Sequence, residues 1–343
     1  MRHNLILTGD INLLGVHDPA VPFARVQERL RAADVVFANL ECCFYASEAE
    51  RSSEDEGFYA PLQAAQALCM AGIHAVGNAN NVNYGAAAIR SSLKRLDELG
   101  ILHTGAGVHS AAARQPVIIE RDGVRFGFLQ RTSVYWSHGH EAQAQYPGVA
   151  TLKAHTAYRP QMEQLRTLTR PGMPPEVVTW ADAAALRQFR QDIAALRAQV
   201  DFLVASHHWG LDREVLDYQR DIAHAAIDAG ADIVIGHGPH FPLAMEIYED
   251  KPIFYGLGSF SFETGHRGRK HPDWIGLMLH IAVDHGTLRR AAFSFVRHNA
   301  HNQTISCPIA AEQEELAELR RLSARFATEL RVEGDEVVVW SKP

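Results

Sequence analysis

Two histidines on one short loop are the residues of this chain best suited to metal chemistry. An apolar run at 233–235 stops at Gly236, and His237 and His240 follow on a Gly-Pro loop. Neutral imidazoles on a rigid strand end are common metal ligands, and a glycine-rich loop lets the backbone approach a ligand closely. The pattern predicts a loop that binds a metal ion or an anion.

Polar side chains also follow four other apolar runs that predict buried strands. They are Asp10, Asn39 with Glu41, Asn78 with Asn80 and Asn81, and His207 with His208. Carboxylate, amide oxygen and imidazole together suit a divalent ion such as Mn, Fe or Zn. One acidic residue can bridge two such ions about 3.5–4 Å apart, an arrangement that activates water for hydrolysis. Each set alone is weak evidence, but their ordered occurrence at five strand ends favours one shared site.

The elements that position these residues follow a strand, loop and helix rhythm, repeated four times between residues 5 and 107. This rhythm predicts an α/β fold with its site along the carboxyl edge of the sheet. Arg121-Asp122-Gly123 separates two apolar runs and predicts a hairpin, so that antiparallel strands join the parallel ones.

We expect a single domain over residues 1–343. Residues 131–180 are rich in Tyr, Trp, His and Pro and show no long apolar period, which predicts an irregular insert at about 131–180. A helix at 311–330 and a strand at 336–340 form a predicted C-terminal extension at about 311–343.

Composition narrows the classes of function. The 343 residues are 47% hydrophobic and 21% charged, with a net charge of −7, and no cluster of Lys and Arg indicates a nucleic-acid partner. The four cysteines have no CxxC spacing, which favours reduced thiols in a cytoplasmic protein. The first apolar run, residues 5–7, is too short for a signal peptide or a membrane span, so we expect no membrane association.

Short motifs run along residues 4–265 in a characteristic order. They are Thr8-Gly9-Asp10, Asn39-Leu40-Glu41, the Asn-rich loop before Tyr84-Gly85, His103–Gly107, His208-Trp209-Gly210, Gly230-Ala231-Asp232, Gly236–His240 and Ile253–Phe260. With these motifs the chain resembles the CapA family, the bacterial poly-γ-glutamate capsule synthesis proteins, within the calcineurin-like metallophosphoesterase superfamily. The resemblance implies a four-layer α/β/β/α sandwich with two central mixed sheets and two divalent metal ions, Mn, Fe or Zn.

The resemblance also implies roles for individual residues. Asp10 matches the first acidic ligand and Glu41 the bridging carboxylate, and either Asn80 or Asn81 matches the ligand asparagine. Three imidazole ligands complete the implied set, namely His208, His237 and His240.

Two departures from the family pattern concern the chemistry rather than the metal. The superfamily's phosphoesterases carry a histidine two residues after the first aspartate, where this chain has Asn12, which we group with the substrate contacts. The Asn-rich run also lacks the histidine that assists the leaving group. His207, His138 and His140 are the candidates to replace it.

The insert offers the best candidates for substrate recognition. Arg131, Tyr135 and Trp136 combine a fixed positive charge with aromatic rings, which suits an anionic or amide-containing small molecule. A loop packed by its own aromatic side chains is the alternative.

The first functional hypothesis is a dinuclear-metal-dependent hydrolase of a phosphoester or a γ-glutamyl or peptide-like bond. An accessory protein of capsule polymer synthesis or export, and a non-catalytic metal-binding module, are the alternatives. The sequence leaves open the substrate, the identity and number of metals, and the oligomeric state, including a homo-oligomer.

Overall fold

A computed structural model describes residues 1–46, 57–160, 174–210, 213–265, 268–271 and 273–342, which form a mixed α/β fold. The first strands are β1 Arg2–Ile11, β2 Val35–Leu40, β3 Cys43–Phe44, β4 Tyr59–Ala60, β5 Ala75–Gly77, β6 Leu102–Thr104, β7 Ala106–Gly107, β8 Val117–Arg121, β9 Val124–Thr132, β10 Gly148–Val149 and β11 Ala154–Arg159. The others are β12 Glu176–Ala181, β13 Phe202–His208, β14 Ile233–His237, β15 Met245–Tyr248, β16 Lys251–Phe254, β17 Ser259–Ser261, β18 Gly276–Asp284, β19 Thr287–His298, β20 Thr304–Cys307, β21 Arg331–Glu333 and β22 Glu336–Ser341.

Seven α-helices lie within the described residues. They are α1 Gln27–Arg31, α2 Gln66–Ala71, α3 Ala86–Glu98, α4 Ser110–Ala113, α5 Ala183–Arg197, α6 Asp217–Asp228 and α7 Gln313–Ser323. The predicted helix at 311–330 ends early because a 3-10 turn follows α7 and Ala327 then adopts a left-handed φ of 53°. No helix within the described ranges is long and apolar enough to cross a membrane.

The larger sheet has a parallel centre and antiparallel flanks. Its strands run in the order β21-β22-β19-β18-β1-β2-β5-β6, while β17 pairs with β1 and β20 pairs with β19. Strands β1, β2, β5 and β6 are mutually parallel, and β18 begins the antiparallel side. The carboxyl ends of β1, β2 and β5 therefore meet at one edge, where their polar sets follow.

The second sheet has six strands in the order β15-β16-β14-β13-β9-β8. Strands β9, β13, β14 and β16 are parallel, and β8 and β15 are antiparallel at the two edges. The β8–β9 connection confirms the predicted Asp-Gly hairpin, since Asp122 and Gly123 have φ of 48° and 79°.

The two sheets share a hydrophobic core, and helices cover their other faces. Phe37 of β2 stacks on Phe128 of β9 with ring centroids 4.9 Å apart, within a cluster that draws on both sheets. A second cluster packs helices α1, α2 and α3 against the larger sheet, and a third packs α5 and α6 against the six-stranded sheet. Because successive side chains of a strand point to opposite faces, the central strands are apolar on both sides.

The segment 131–180 holds more regular structure than the sequence predicts. Strand β10 pairs with β7, and β11 and β12 form an antiparallel ribbon of six residue pairs. Residues 161–173, at the centre of the predicted insert, lie outside the described part of the chain.

Candidate metal centre

Strand ends from the two sheets meet over a pair of buried carboxylates. Asp10 lies near the end of β1 and Glu41 directly follows β2, while His208 and His237 end the neighbouring strands β13 and β14. The pairing of β1 with β2 shifts register between Thr8 and Asp10. An irregularity of this kind re-aims the side chain that follows it.

Asp10 contacts the loop of the two histidines on both of its oxygens. Its Oδ1 lies 3.2 Å from His237 Nδ1 and its Oδ2 lies 3.2 Å from His240 Nδ1, and the Gly238 N–H donates to Oδ2 at 3.4 Å. Burial would raise the pKa of Asp10, but the imidazoles of His237 and His240 next to its two oxygens hold that pKa well below its ordinary value.

Glu41 joins the second sheet to the same loop. Its Oε1 lies 3.2 Å from His208 Nε2, and its Oε2 lies 3.8 Å from His240 Nε2. One ligand atom each from Asp10, Glu41 and His240 lie within 4.8 Å of one another. Burial opposes a charged His240, but Glu41 and Asp10 outweigh it and raise the pKa of His240 to about 9.

Asn39 holds the two carboxylates side by side. Its amide nitrogen donates to Asp10 Oδ1 at 2.8 Å and to Glu41 Oε1 at 3.0 Å. Its amide oxygen accepts from Gln130 Nε2 of the other sheet at 2.9 Å. Asn39 therefore supports the acidic pair through its amide group and connects it to the six-stranded sheet.

Gln130 is a site residue that the sequence analysis missed. It is fully buried, and besides bonding Asn39 it accepts from the Ala79 N–H at 2.7 Å and donates to Ser206 Oγ at 3.2 Å. A Cβ atom at Gly77 would lie 2.3 Å from the Gln130 side chain, so the glycine leaves room for it. The sequence does indicate this role, because Gln130 is a polar residue at an inward-facing position of an otherwise apolar strand.

The hydroxyl group of Thr132 determines which ring nitrogen of His208 carries the proton. Thr132 Oγ1 donates to the Val134 carbonyl at 2.8 Å and accepts from the Val134 N–H at 3.1 Å. Because the hydroxyl proton is used on the Val134 carbonyl, Thr132 Oγ1 must accept in its third contact, with His208 Nδ1 at 3.0 Å. This contact therefore assigns a hydrogen to Nδ1. This assignment leaves a lone pair on His208 Nε2, directed at the Glu41 carboxylate.

Three observations indicate that these residues could hold a divalent metal ion. His237 is fully buried, its Nε2 makes no hydrogen bond within the described residues, and its Nδ1 faces Asp10 Oδ1 at 3.2 Å without hydrogen-bond geometry. A lone pair of His208 faces a carboxylate, which is repulsive unless a cation or proton lies between them. A Cβ at Gly238, whose φ is 112°, would lie 3.1 Å from His208 Nε2, so that glycine keeps this position accessible.

The structure separates the two candidate asparagines. Asn80 donates to the Leu40 carbonyl at 2.8 Å and accepts from the Asn83 N–H at 3.0 Å, so its amide fixes the loop backbone. The half-buried Asn81 side chain makes no hydrogen bond in the described part of the chain. Asn81 is therefore the better candidate to bind a ligand.

Asn12 and His207, predicted in substrate-binding and catalytic roles, point elsewhere. Asn12 donates to the Thr264 carbonyl at 2.7 Å and accepts from the Leu14 N–H at 2.8 Å, so both ends of its amide hold backbone. His207 contacts Ser133 Oγ at 2.9 Å and meets Phe189 edge-on. Alternation along β13 places it on the helix-covered face, opposite to His208.

The two histidines of the insert also differ from the expected role. His140 accepts from the Trp136 N–H and contacts the Asn83 carbonyl, both at 3.0 Å, so a single neutral tautomer satisfies both bonds. Burial lowers the pKa of His140 to about 4. His138 is exposed and contacts Ser137 Oγ. Among the described residues, neither of these histidines contacts Asp10 or Glu41.

The predicted substrate-contact residues of the insert fall into two groups. Arg131 is buried on the helix side of β9 and pairs with Asp192 at 2.7 Å, so its charge is neutralised away from the carboxylates. The half-buried Tyr135 hydroxyl has a raised pKa because of burial and makes none of the contacts to the carboxylates. Trp136, 43% exposed, donates from Nε1 to the Asn81 carbonyl at 3.0 Å and so borders the asparagine loop.

Comparison with known proteins provides a family match. The family model described as "Bacterial capsule synthesis protein PGA_cap" matches residues 4–264. The chain is 28% identical over 308 residues to the uncharacterized protein y4sH of Sinorhizobium fredii, which covers 76% of this chain and 66% of that protein.

Two further relatives have names that refer to capsule or polymer synthesis. The capsule biosynthesis protein CapA of Bacillus anthracis is 26% identical over 250 residues, 71% of this chain and 54% of that protein. A probable polyglutamine synthesis accessory protein of Mycobacterium tuberculosis is 28% identical over 235 residues, 66% of this chain and 55% of its own length. The chain thus spans between half and two thirds of these relatives.

Proposed function

Because the chain belongs to the PGA_cap family of bacterial capsule synthesis proteins, we propose that it is a hydrolase that uses divalent metal ions. Its substrate would be a small anionic molecule with an amide or ester linkage, of which a γ-glutamyl bond is the favoured type. The convergence of two buried carboxylates and three imidazoles is the observation that carries the proposal.

The ligands divide between the two sheets. Asp10 and Glu41 would supply the acidic ligands, and the imidazoles of His208, His237 and His240 would complete the set. Asn81 is the favoured amide ligand. A bound divalent ion would lower the pKa of a water molecule and polarise the bond under attack. Asn39 would hold the carboxylates, and Thr132 would keep His208 in the ligating tautomer.

The fold supports the same proposal. A core between two sheets, with separate helix-packed clusters on their outer faces, is the arrangement expected of a four-layer α/β/β/α sandwich. We infer that the chain has this metallophosphoesterase architecture and that its ligands lie at the strand ends for that reason.

The choice of a γ-glutamyl bond over a phosphoester rests on the names of relatives. A relative from Bacillus subtilis, 26% identical over 249 residues, is named a PGA biosynthesis protein, and we take this PGA to be poly-γ-glutamate. An alkoxide leaving group of a phosphomonoester needs protonation, and the side chains at Asn12 and His140 are held by backbone contacts. An amide nitrogen would need a proton as well, so the missing donor does not distinguish between the two linkages.

The same lack of a dedicated acid favours a second candidate function. An accessory protein of polymer synthesis would need to bind metal and polymer without cleaving it. Metal binding with no turnover of γ-glutamyl or phosphodiester bonds would support this candidate over the hydrolase.

The test combines metal analysis with turnover. The protein is stripped with chelator, reloaded with Mn, Fe or Zn, and assayed for metal content and for cleavage of a poly-γ-glutamate oligomer and a phosphodiester. Wild-type protein should retain at least one ion and cleave the oligomer, whereas Asp10→Asn and His237→Ala should lose both properties. His301→Ala, an exposed histidine of a distant loop, is the control. Wild-type metal content that neither substitution reduces would contradict the proposed centre.

A further inference from the structure

A cavity of about 310 Å³ lies on the helix-covered face of the larger sheet, between α1 and strands β1, β18, β19 and β22. Its polar lining consists of Arg2 and Asn4 on β1, Arg29 on α1, His280 on β18, Arg290 on β19 and Glu336 on β22. Arg2 begins β1 and Asp10 lies near its end, so about 25 Å of strand separates them. The cavity is therefore distinct from the candidate metal centre.

The register of the strands explains how the cavity forms. Ala282 of β18 pairs with Asn4 of β1 on one side and with Arg290 of β19 on the other. Residues directly opposite each other in antiparallel strands share a face of the sheet, so a small side chain lies between two long ones. Ala32, at the end of α1, is another small residue of the wall. The alanines leave the arginine side chains standing around a depression.

Three arginines but only one carboxylate line this cavity. Arg290 bonds Glu336 at 2.6 Å and Glu333 at 3.5 Å, so both of these acids are already engaged. Arg2 and Arg29 are exposed, and neither forms an ion pair or a side-chain hydrogen bond with any residue that the structure describes. A guanidinium group binds an oxyanion through parallel hydrogen bonds and keeps its charge at every relevant pH. Two accessible guanidinium groups on separate elements can therefore hold an anion between them.

The other polar groups nearby do not cancel this charge. Burial lowers the pKa of His280 to about 4, with Arg29 and Arg290 acting in the same direction against Glu336, so the imidazole is neutral at pH 7. The carboxylate of Asp34 lies outside the lining and accepts from the Asn4 backbone N–H at 2.7 Å. The exposed side chain of Asn4 offers the cavity a further donor.

The walls favour an organic anion over an inorganic one. The rest of the lining is apolar, namely Leu5, Ile6, Ala32, Ala33, Ile281 and Ala282. A volume of this size is typical of sites for small organic molecules. A short run of methylene groups would pack against the alanines while acidic groups at its ends reached Arg2 and Arg29.

We propose that this cavity is a second binding site of the protein, for a small organic dianion with a short aliphatic body. One acidic group binds the guanidinium of Arg2 and the other that of Arg29. The proposal is independent of the proposed function, because none of these residues lies at the metal centre.

Calorimetric titration of the full chain with glutarate tests the site. Glutaramate, in which one carboxylate is an amide, is the matched probe, and inorganic phosphate is a second anion. Wild-type protein should bind glutarate about tenfold more tightly than glutaramate, the effect of one hydrogen bond to a charged group. Arg2→Gln and Arg29→Gln should each weaken glutarate about tenfold, while Arg190→Gln, exposed on α5 beside the other sheet, should not.

Two further variants locate the bound anion. Ala32→Phe fills the cavity without removing a charge and should weaken glutarate at least as much as the arginine variants. Asp10→Asn alters the metal centre and should leave glutarate affinity unchanged. Loss of glutarate binding in Asp10→Asn would place the anion at the metal centre and overturn the proposal.

The remaining outcomes are equally decisive. Absence of glutarate binding, equal affinity for glutarate and glutaramate, or unchanged affinity in both Arg2→Gln and Arg29→Gln would overturn the site. Tighter binding of phosphate than of glutarate would overturn the organic dianion. Both arginines are exposed, so these variants should unfold at the wild-type temperature without ligand, which excludes a folding defect as the cause of weaker binding.

Discussion

The Nε2 atom of His208 lies 3.2 Å from Glu41 Oε1, with Thr132 Oγ1 on the opposite side of the imidazole at 3.0 Å from Nδ1. The hydroxyl therefore decides which nitrogen carries the proton, although it lies on a different strand. His208 can bind a metal ion through Nε2 only while Nδ1 keeps its hydrogen.

Replacing Thr132 with valine should weaken metal binding without removing a ligand. Valine matches threonine in shape but cannot accept the Nδ1–H bond, so the tautomer is no longer specified. We expect affinity for Mn or Zn to fall about 10–100-fold, the usual effect of losing such a partner. Competition with a chromophoric chelator measures it. Thr132→Ser, which keeps the hydroxyl, is the matched control, and a valine variant with serine-like affinity would contradict the tautomer assignment.

The adjacent histidines His207 and His208 should behave oppositely. His208→Ala removes a proposed ligand and should lower metal content, whereas His207→Ala should keep it. The latter removes a ring packed among Phe189 and Trp209 and should cost about 2–4 kcal/mol of unfolding free energy. Elemental analysis and urea unfolding of the two variants make the comparison. If His207→Ala lost its metal with little loss of stability, His207 rather than His208 would be the metal ligand, and the assignment would be wrong.

Much of the site could be predicted because each polar set follows its own strand. In parallel strands of one sheet the carboxyl ends share an edge, so Asp10 and Glu41 had to lie near one another. The same rule brings His208 beside His237. Whether the carboxylates of the larger sheet meet the histidines of the six-stranded sheet depends on how the two sheets pack. The family resemblance implies this packing, but no local sequence pattern predicts it.

The errors came from contacts between distant parts of the sequence. Asn12 bonds the backbone of Thr264, 252 residues away, and no spacing rule anticipates that partner. Arg131 and His207 were avoidable errors, because period-2 alternation along β9 and β13 places both on the face opposite to Thr132 and His208. That alternation also points to Gln130, which shares the inward face with Phe128.

Substituting Gln130 with leucine should destabilise the fold and disturb the carboxylate pair. The change leaves the buried Ala79 N–H without its partner, and it leaves the Asn39 amide oxygen with only the long 3.4 Å bond from Asn80. We expect a loss of about 1–3 kcal/mol in unfolding free energy for each group left unpaired. Urea unfolding of chelated protein measures it, and Gln188→Leu on the exposed face of α5 is the control. Equal midpoints for the two variants would rule out a structural role for the Gln130 network.

The metal-free protein should lose stability as pH rises from neutral to alkaline. The pKa of His240 is raised from 6.5 to about 9 by Glu41 and Asp10, against the effect of burial. A raised pKa stabilises the folded state fully below the unfolded value of 6.5, and this stabilisation is lost as pH rises through about 9. His240 is 42% exposed, so solvent screening reduces the effect to on the order of 1 kcal/mol.

Chelated wild type should therefore unfold at lower urea concentration at pH 9 than at pH 6.5, and His240→Gln should lack most of this difference. Metal-loaded protein should show the opposite trend over the same range, because an imidazole binds metal only after it has lost its proton. In the chelated form the positive charge beside Glu41 and Asp10 is a proton on His240, whereas in the loaded form it is a metal ion. If chelated and loaded protein followed the same pH profile, the carboxylates would not be shared between proton and metal, and the proposed ligand role of His240 would be wrong.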